Sequence, residues 1–163
     1  AEGLCGDPDA VAHADEQGVA MGGDLQASGP PRFLVMAQKD PGTAAAPGAD
    51  LERLQIVKGW IDADGQHVRV FDVAGEPADD VDLASCAPAS GSASLCGEWV
   101  DPDHDPAVAA WWYARVAEVP TCRWSWRQCL EIPEADRPAG CSDPDAPEQI
   151  REMAWSSPIW HTP

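Results

Sequence analysis

The stretch Ala109-Ala-Trp-Trp-Tyr-Ala-Arg-Val-Ala-Glu-Val119 limits the fold more than any other part of the chain. It holds no Gly or Pro until Pro120 stops it. At period two, Trp111, Tyr113, Arg115 and Ala117 fall on one side and Trp112, Ala114, Val116 and Glu118 on the other. Aromatic and β-branched residues suit a pleated surface. The alanines also permit a helix. A strand with indoles on both faces calls for cover on both, so the stretch is expected to be a central strand.

The segments around it supply partners. Leu51–Ile61 and Gln66–Val73 flank Asp62-Ala-Asp-Gly65, a β-hairpin signature with Gly65 at the positive-φ position. Arg32–Lys39 and Ser94–Val100 read as strands, and Ser156–His161 as an edge strand that tolerates Pro158. Val81–Ala84 reads as a short extended piece, Thr121–Leu130 as a compact or helical turn, and Pro147–Met153 as one or two helical turns. Asp7-Pro8-Asp9 is a helix start, predicting a helix from about Pro8 to Gln17 that ends at Gly18. Met21-Gly-Gly-Asp-Leu25 is a tight turn or a ligand loop.

Composition excludes several classes of partner. The net charge of −18 disfavours nucleic acid and anionic membranes, which require clustered Lys and Arg. No apolar run is long enough to span a bilayer. No signal peptide precedes Ala1, so the sequence reads as a mature form or a fragment.

Six cysteines in loop-like contexts, without CxxC pairs or His neighbours, point to disulfides in an oxidising compartment, periplasmic or extracellular. Spacing suggests Cys86–Cys96 across a flexible loop, Cys122–Cys129 if the residues between them form a compact turn, and Cys5–Cys141 by elimination.

Candidate chemistry is sparse. Asp101, Asp103 and Asp105 alternate like the first half of a calcium loop, but Pro106 and Trp112 stand where an EF-hand needs Gly and Glu. They form a solvated acidic turn or a cation site. His13, His67, His104 and His161 are scattered, with no HxH or HExxH. There is no GxSxG, Walker loop or GxGxxG, so no catalytic residue is nominated. Arg123-Trp124 and Trp126-Arg127 form a stacking patch that closes a core or binds a sugar or carboxylate.

Seven motifs occur in order: MGGDL, RFLVMAQKDPG, LERLQIVKGWIDADG, VDLA, DPDHDP, WYARVAEVPTCRW and SSPIWHTP. Together they closely resemble the C-terminal part of the bacterial domain-of-unknown-function family numbered thirty-six-oh-four, over nearly the whole chain. Ala20, His104 and His161 depart from its Pro, aromatic and Tyr. Long members of that family resemble PHP-type metallohydrolases, with metal-binding residues in an N-terminal barrel outside these 163 residues.

The resemblance implies a C-terminal portion of a larger secreted protein, or one chain of a cleaved one. It implies no cofactor in this chain, a divalent metal in the barrel, and that barrel or a companion chain as partner. The expected fold is mostly β: an immunoglobulin-like antiparallel β-sandwich with a short N-terminal helix and long Pro/Gly-rich loops. Residues 1–28 would form the helix and lead-in segment, and residues 29–163 the sandwich. The expected role is a non-catalytic domain that packs on and shapes the barrel. Met21, Gly22, Gly23, Asp24, Arg123 and Trp124 are the contact candidates. The competing class is a free-standing extracellular module for carbohydrate or calcium.

Overall fold

The computed structural model describes residues 3–163. The fold is mostly β, with antiparallel sheets and two short helices. Helix α1 (Ala10–Gln17) precedes strands β1 (Arg32–Gln38), β2 (Leu51–Asp62), β3 (Gly65–Gly75), β4 (Ser94–Val100), β5 (Ala109–Glu118) and β6 (Thr121–Cys122). Helix α2 (Trp124–Glu131) follows, and then β7 (Gln149–Ile150), β8 (Met153–Trp155) and β9 (Ile159–His161).

The principal sheet runs β3-β2-β5-β8, with β9 also paired to β5, so the aromatic stretch is a central strand as its pattern predicts. β1 and β4 form an antiparallel ribbon that packs on one face of this sheet, making a β-sandwich of five strands against two. The core lies between the layers. Phe33, Ile56, Ala110 and Trp112 are buried there, with Val35, Trp60 and Trp99 packed around them. Phe33 sits 5.2 Å from the Trp112 ring and 5.8 Å from the Trp99 ring, within the range of attractive aromatic pairs.

The β2–β3 hairpin closes where the sequence places it, with Gly65 at φ 125°. Asp62 organises the turn. Its carboxylate contacts His67 at 2.9 Å and accepts from the Asp64 amide at 2.9 Å and the Trp60 indole at 3.0 Å. The His67 contact leads the three bonds in holding the Asp62 carboxyl below its usual range.

A second, smaller core of Val81, Cys86 and Cys122, with Leu83, Trp126 and Leu130, lies under α2 and the β6–β7 ribbon.

Several expectations need correction. Within Pro147–Met153, expected to form helical turns, Gln149–Ile150 is a strand paired with β6 and Met153 begins a strand, Met153–Trp155, that pairs with the edge of β5. Val81–Ala84 is a turn in which the Asp82 side chain accepts from the Ala84 amide and the Ser85 hydroxyl. α1 begins at Ala10, two residues later than expected, because the Asp7 side chain caps from outside by accepting from the Asp9 amide.

All three expected cysteine pairings are also overturned. The bridges are Cys5–Cys96, Cys86–Cys122 and Cys129–Cys141. Cys129 lies five residues into a helix that starts at Trp124, about 7.5 Å of rise beyond the extended Cys122–Arg123, which holds it away from Cys122. Cys122 turns instead into the second core, where it meets Cys86. Cys96 sits on β4 opposite Met36, and there the N-terminal turn at Leu4–Gly6 reaches it.

Candidate functional site

The Asp101–Asp105 turn is built around a buried ion pair. Asp101 is fully buried, and Lys58 on β2 has a 5% exposed side chain. Their charged atoms lie 2.7 Å apart. The Trp112 indole donates to Asp101 Oδ2 at 3.0 Å and the Asp103 amide to Oδ1 at 3.1 Å. Lys58 also donates to the Asp103 carbonyl at 3.0 Å and stands 5.2 Å from the Trp60 ring centre. The Asp103 carboxylate pairs outward with Arg69 at 3.1 Å, and Asp105 caps the Ala107 amide at 2.9 Å. The three carboxylates thus serve three different partners. Among the described residues, no group of three or more His, Cys, Asp or Glu side chains is placed to hold a metal ion.

The MGGDL motif is stitched to the last strand. Gly22 N donates to Pro158 O at 3.0 Å, Trp160 N to Gly23 O at 3.0 Å and Leu25 N to Trp160 O at 2.7 Å. Asp24 and Trp160 pair in parallel. Gly22 takes φ 90°, a conformation open to glycine at little cost.

His161, buried at the end of β9, locks this seam. Its Nδ1 lies 3.0 Å from the Leu25 carbonyl and its Nε2 3.1 Å from the Pro106 carbonyl. The ring of His104 meets it edge-on at 4.9 Å, while His104 Nε2 reaches Ala27 O at 3.2 Å. The two histidines that depart from the family pattern therefore tie the lead-in segment to the Asp101–Asp105 turn. Neither role was visible in the sequence, because the partners are backbone carbonyls far away in the chain.

Beside this seam lies an apolar cleft of about 340 Å³ between α1 and the sheet, on the side of the sheet that carries the core. Phe33, Ile56 and Trp112 floor it, and the exposed side chains of Val11, Met21 and Met36 stand around it. α1 covers it poorly: Ala10 is its sole buried residue, and the helix is held by the Cys5–Cys96 bridge and a 2.9 Å Asp7–His13 contact.

The Arg123–Arg127 patch divides. Trp126 faces the second core and donates to Leu83 O at 2.8 Å, whereas Trp124 is 69% exposed. Arg123 opens α2, its amide bonded to Glu148 O at 2.9 Å.

The opposite face of the principal sheet carries Trp111, Tyr113 and Arg115 of the aromatic stretch, beside tryptophans of β8 and β9. Strand register places Trp111 beside Trp160, and Arg115 beside Trp155. Gly59 lies next to Trp111 on β2, and a Cβ at Gly59 would come within 2.2 Å of two indole carbons. The indole therefore packs against Gly59, and the Tyr113 ring stacks parallel to it, 5° off and 5.5 Å away. Contrary to the expectation of cover on both faces, the packing ribbon β1–β4 sits on the other side.

A family model described as "Protein of unknown function (DUF3604)" matches residues 1–163. The chain belongs to the DUF3604 family. No curated protein and no solved structure matches this DUF3604 chain. Its motifs coincide with the structural junctions just described: MGGDL with SSPIWHTP at the seam, and LQIVKGW with DPDHDP at the Lys58–Asp101 pair.

Proposed function

We propose that this DUF3604 chain is a non-catalytic domain of a secreted, metal-dependent hydrolase of PHP type. It packs through its N-terminal side on a catalytic barrel carried elsewhere in the protein. The observation that carries this reading is the apolar cleft beside the lead-in segment, ringed by exposed Val11, Met21 and Met36. Contiguous exposed apolar surface beside a thinly packed helix marks a surface that is covered in the working protein. The covering partner would complete the packing that α1 begins. Of the contact candidates, Met21 presents an exposed side chain there, while Gly22 and Gly23 spend backbone groups on Pro158 and Trp160.

Three disulfides agree with secretion, and no described helix is long and apolar enough to cross a membrane. The metal and the hydrolytic groups belong to the barrel, and this chain shapes the edge of its cleft.

The test begins with the reading frame upstream of Ala1. The upstream region is produced as a separate polypeptide and mixed with this chain. Association by size-exclusion chromatography, weakened at least tenfold by Met21→Asp or Met36→Asp, is the expected result. Failure of the wild-type chain to associate, or chelator-sensitive phosphoester hydrolysis by the 163-residue chain alone, would overturn the reading.

A further inference from the structure

The open face of the principal sheet has an ordered layout. One row across the strands is Asp72, Gln55, Arg115 and Trp155, and the next but one is Val68, Gly59, Trp111 and Trp160. Tyr113 lies between them, and Trp155 and Trp160 are 60% and 45% exposed. The polar row is pre-set: Arg115 Nε donates to Gln55 Oε1 at 2.8 Å, and Gln55 Nε2 to Asp72 Oδ1 at 2.6 Å. The result is a row of aromatic side chains beside a fixed line of amide, guanidinium and carboxylate groups.

We propose that this face binds an uncharged polysaccharide chain. Trp111, Tyr113, Trp155 and Trp160 would pack on pyranose rings, and Arg115 and Asp72, braced by the buried Gln55 between them, would meet their hydroxyls. This goes beyond the accessory-domain reading and does not rest on it, since the lead-in cleft opens on the opposite side of the sheet.

Three observations select this occupant. The Trp111 and Tyr113 rings stack on each other, and Trp155 and Trp160 stand exposed on the same face, so they offer indole surface to a ligand. A pyranose ring has flat C–H faces that match them, whereas protein anchors insert into pockets. Second, a net charge of −18 repels anionic polymers, anionic bilayers and a second copy of the chain, but not a neutral glycan. Third, the hydroxyl-rich rim of a sugar needs fixed donors and acceptors beside the rings, and the Arg115–Gln55–Asp72 row supplies both.

The experiment uses the whole chain with three probes: microcrystalline cellulose, chitin, and a soluble neutral β-glucan in affinity electrophoresis. Saturable retention on at least one probe, unchanged in molar salt, is expected. Trp155→Ala and Trp160→Ala should each weaken it about tenfold, while Trp155→Tyr retains most of it. Trp124→Ala, exposed on α2, should leave it unchanged. Near-UV circular dichroism confirms the fold of each variant, and Trp155 decides the matter if Trp160→Ala disturbs the seam. No retention on any probe, retention lost in salt, or an equal loss in Trp124→Ala would overturn the proposal. So would a wild-type dimer in sedimentation that Trp155→Ala dissociates, which would assign the face to a second copy.

Discussion

Replacing Asp101 with Asn tests whether the buried Lys58–Asp101 pair holds the turn to the sheet. The substitution removes the charge and leaves one oxygen, which can accept from the Trp112 indole or from the Asp103 amide but not from both, since these use different carboxylate oxygens. At 2.7 Å and an effective dielectric near 20, the attraction between the two charges is about 6 kcal/mol. Desolvation of both ions offsets much of that in the intact pair. Removing one partner leaves the other charge buried and alone, at a cost of about 3–5 kcal/mol.

Lys58 has only a 5% exposed side chain and cannot swing into water without breaking its bond to the Asp103 carbonyl. Asp101→Asn should therefore destabilise by about 3–4 kcal/mol, lowering Tm by roughly 10 °C for a domain of this size. The double variant Lys58→Met/Asp101→Asn removes the stranded charge and should recover more than half the loss, since neutral replacements of buried pairs are often tolerated. Urea unfolding with the disulfides intact, followed by tryptophan fluorescence, measures all four corners of the cycle. A cost below about 1 kcal/mol for Asp101→Asn, or additive losses in the double variant, would refute the reasoning.

Gly59→Ala would push a methyl group to within 2.2 Å of the Trp111 ring, displacing the indole at a cost of about 1–3 kcal/mol; an unchanged near-UV spectrum and unfolding midpoint would contradict the close packing on Gly59. Non-reducing peptide mapping should recover Cys5–Cys96, Cys86–Cys122 and Cys129–Cys141. Removing the first bridge, which spans 91 residues, should cost about 4–5 kcal/mol and speed hydrogen exchange in α1. Burial, followed by the nearby Glu152 and Asp40 carboxylates, raises the Glu118 carboxyl above its ordinary 4.5. Its folded form thus favours the proton, and the stability it contributes is complete below pH 4.5 and is lost as pH rises through the raised value. Glu118→Gln should accordingly raise Tm at pH 7 and lose that advantage near pH 4, as a melting series across pH will show. Calcium titration calorimetry should reveal no micromolar site, because Lys58 and Arg69 occupy Asp101 and Asp103; a site lost in Asp103→Ala would say otherwise.

The elements legible in the sequence are those whose signals are local. The hairpin was readable from Asp62-Ala-Asp-Gly65 and β5 from its aromatic alternation. β8 was hidden because three residues, Met-Ala-Trp, carry no periodicity, and the free edge of β5 recruits them. The disulfides were hidden for a related reason. Spacing reports the cost of closing a loop, while pairing follows which elements the tertiary fold brings together, and Cys5 meets Cys96 only once the ribbon has formed. The His161 lock and the tryptophan face were likewise illegible, since each depends on register between strands distant in sequence.

The parallel seam between Gly22–Leu25 and β9 has a mechanical consequence. Tension applied from before Gly22 and from after His161 would draw two parallel partners past one another, loading their three backbone hydrogen bonds together in shear. An antiparallel edge pulled in the same way would open one bond at a time. With the His161 ring set between the Leu25 and Pro106 carbonyls, the seam acts as a clasp whose failure rate governs how long the pairing survives a pull entering between Cys5 and Gly22, whereas a pull from before Cys5 is taken up by the covalent Cys5–Cys96 bridge.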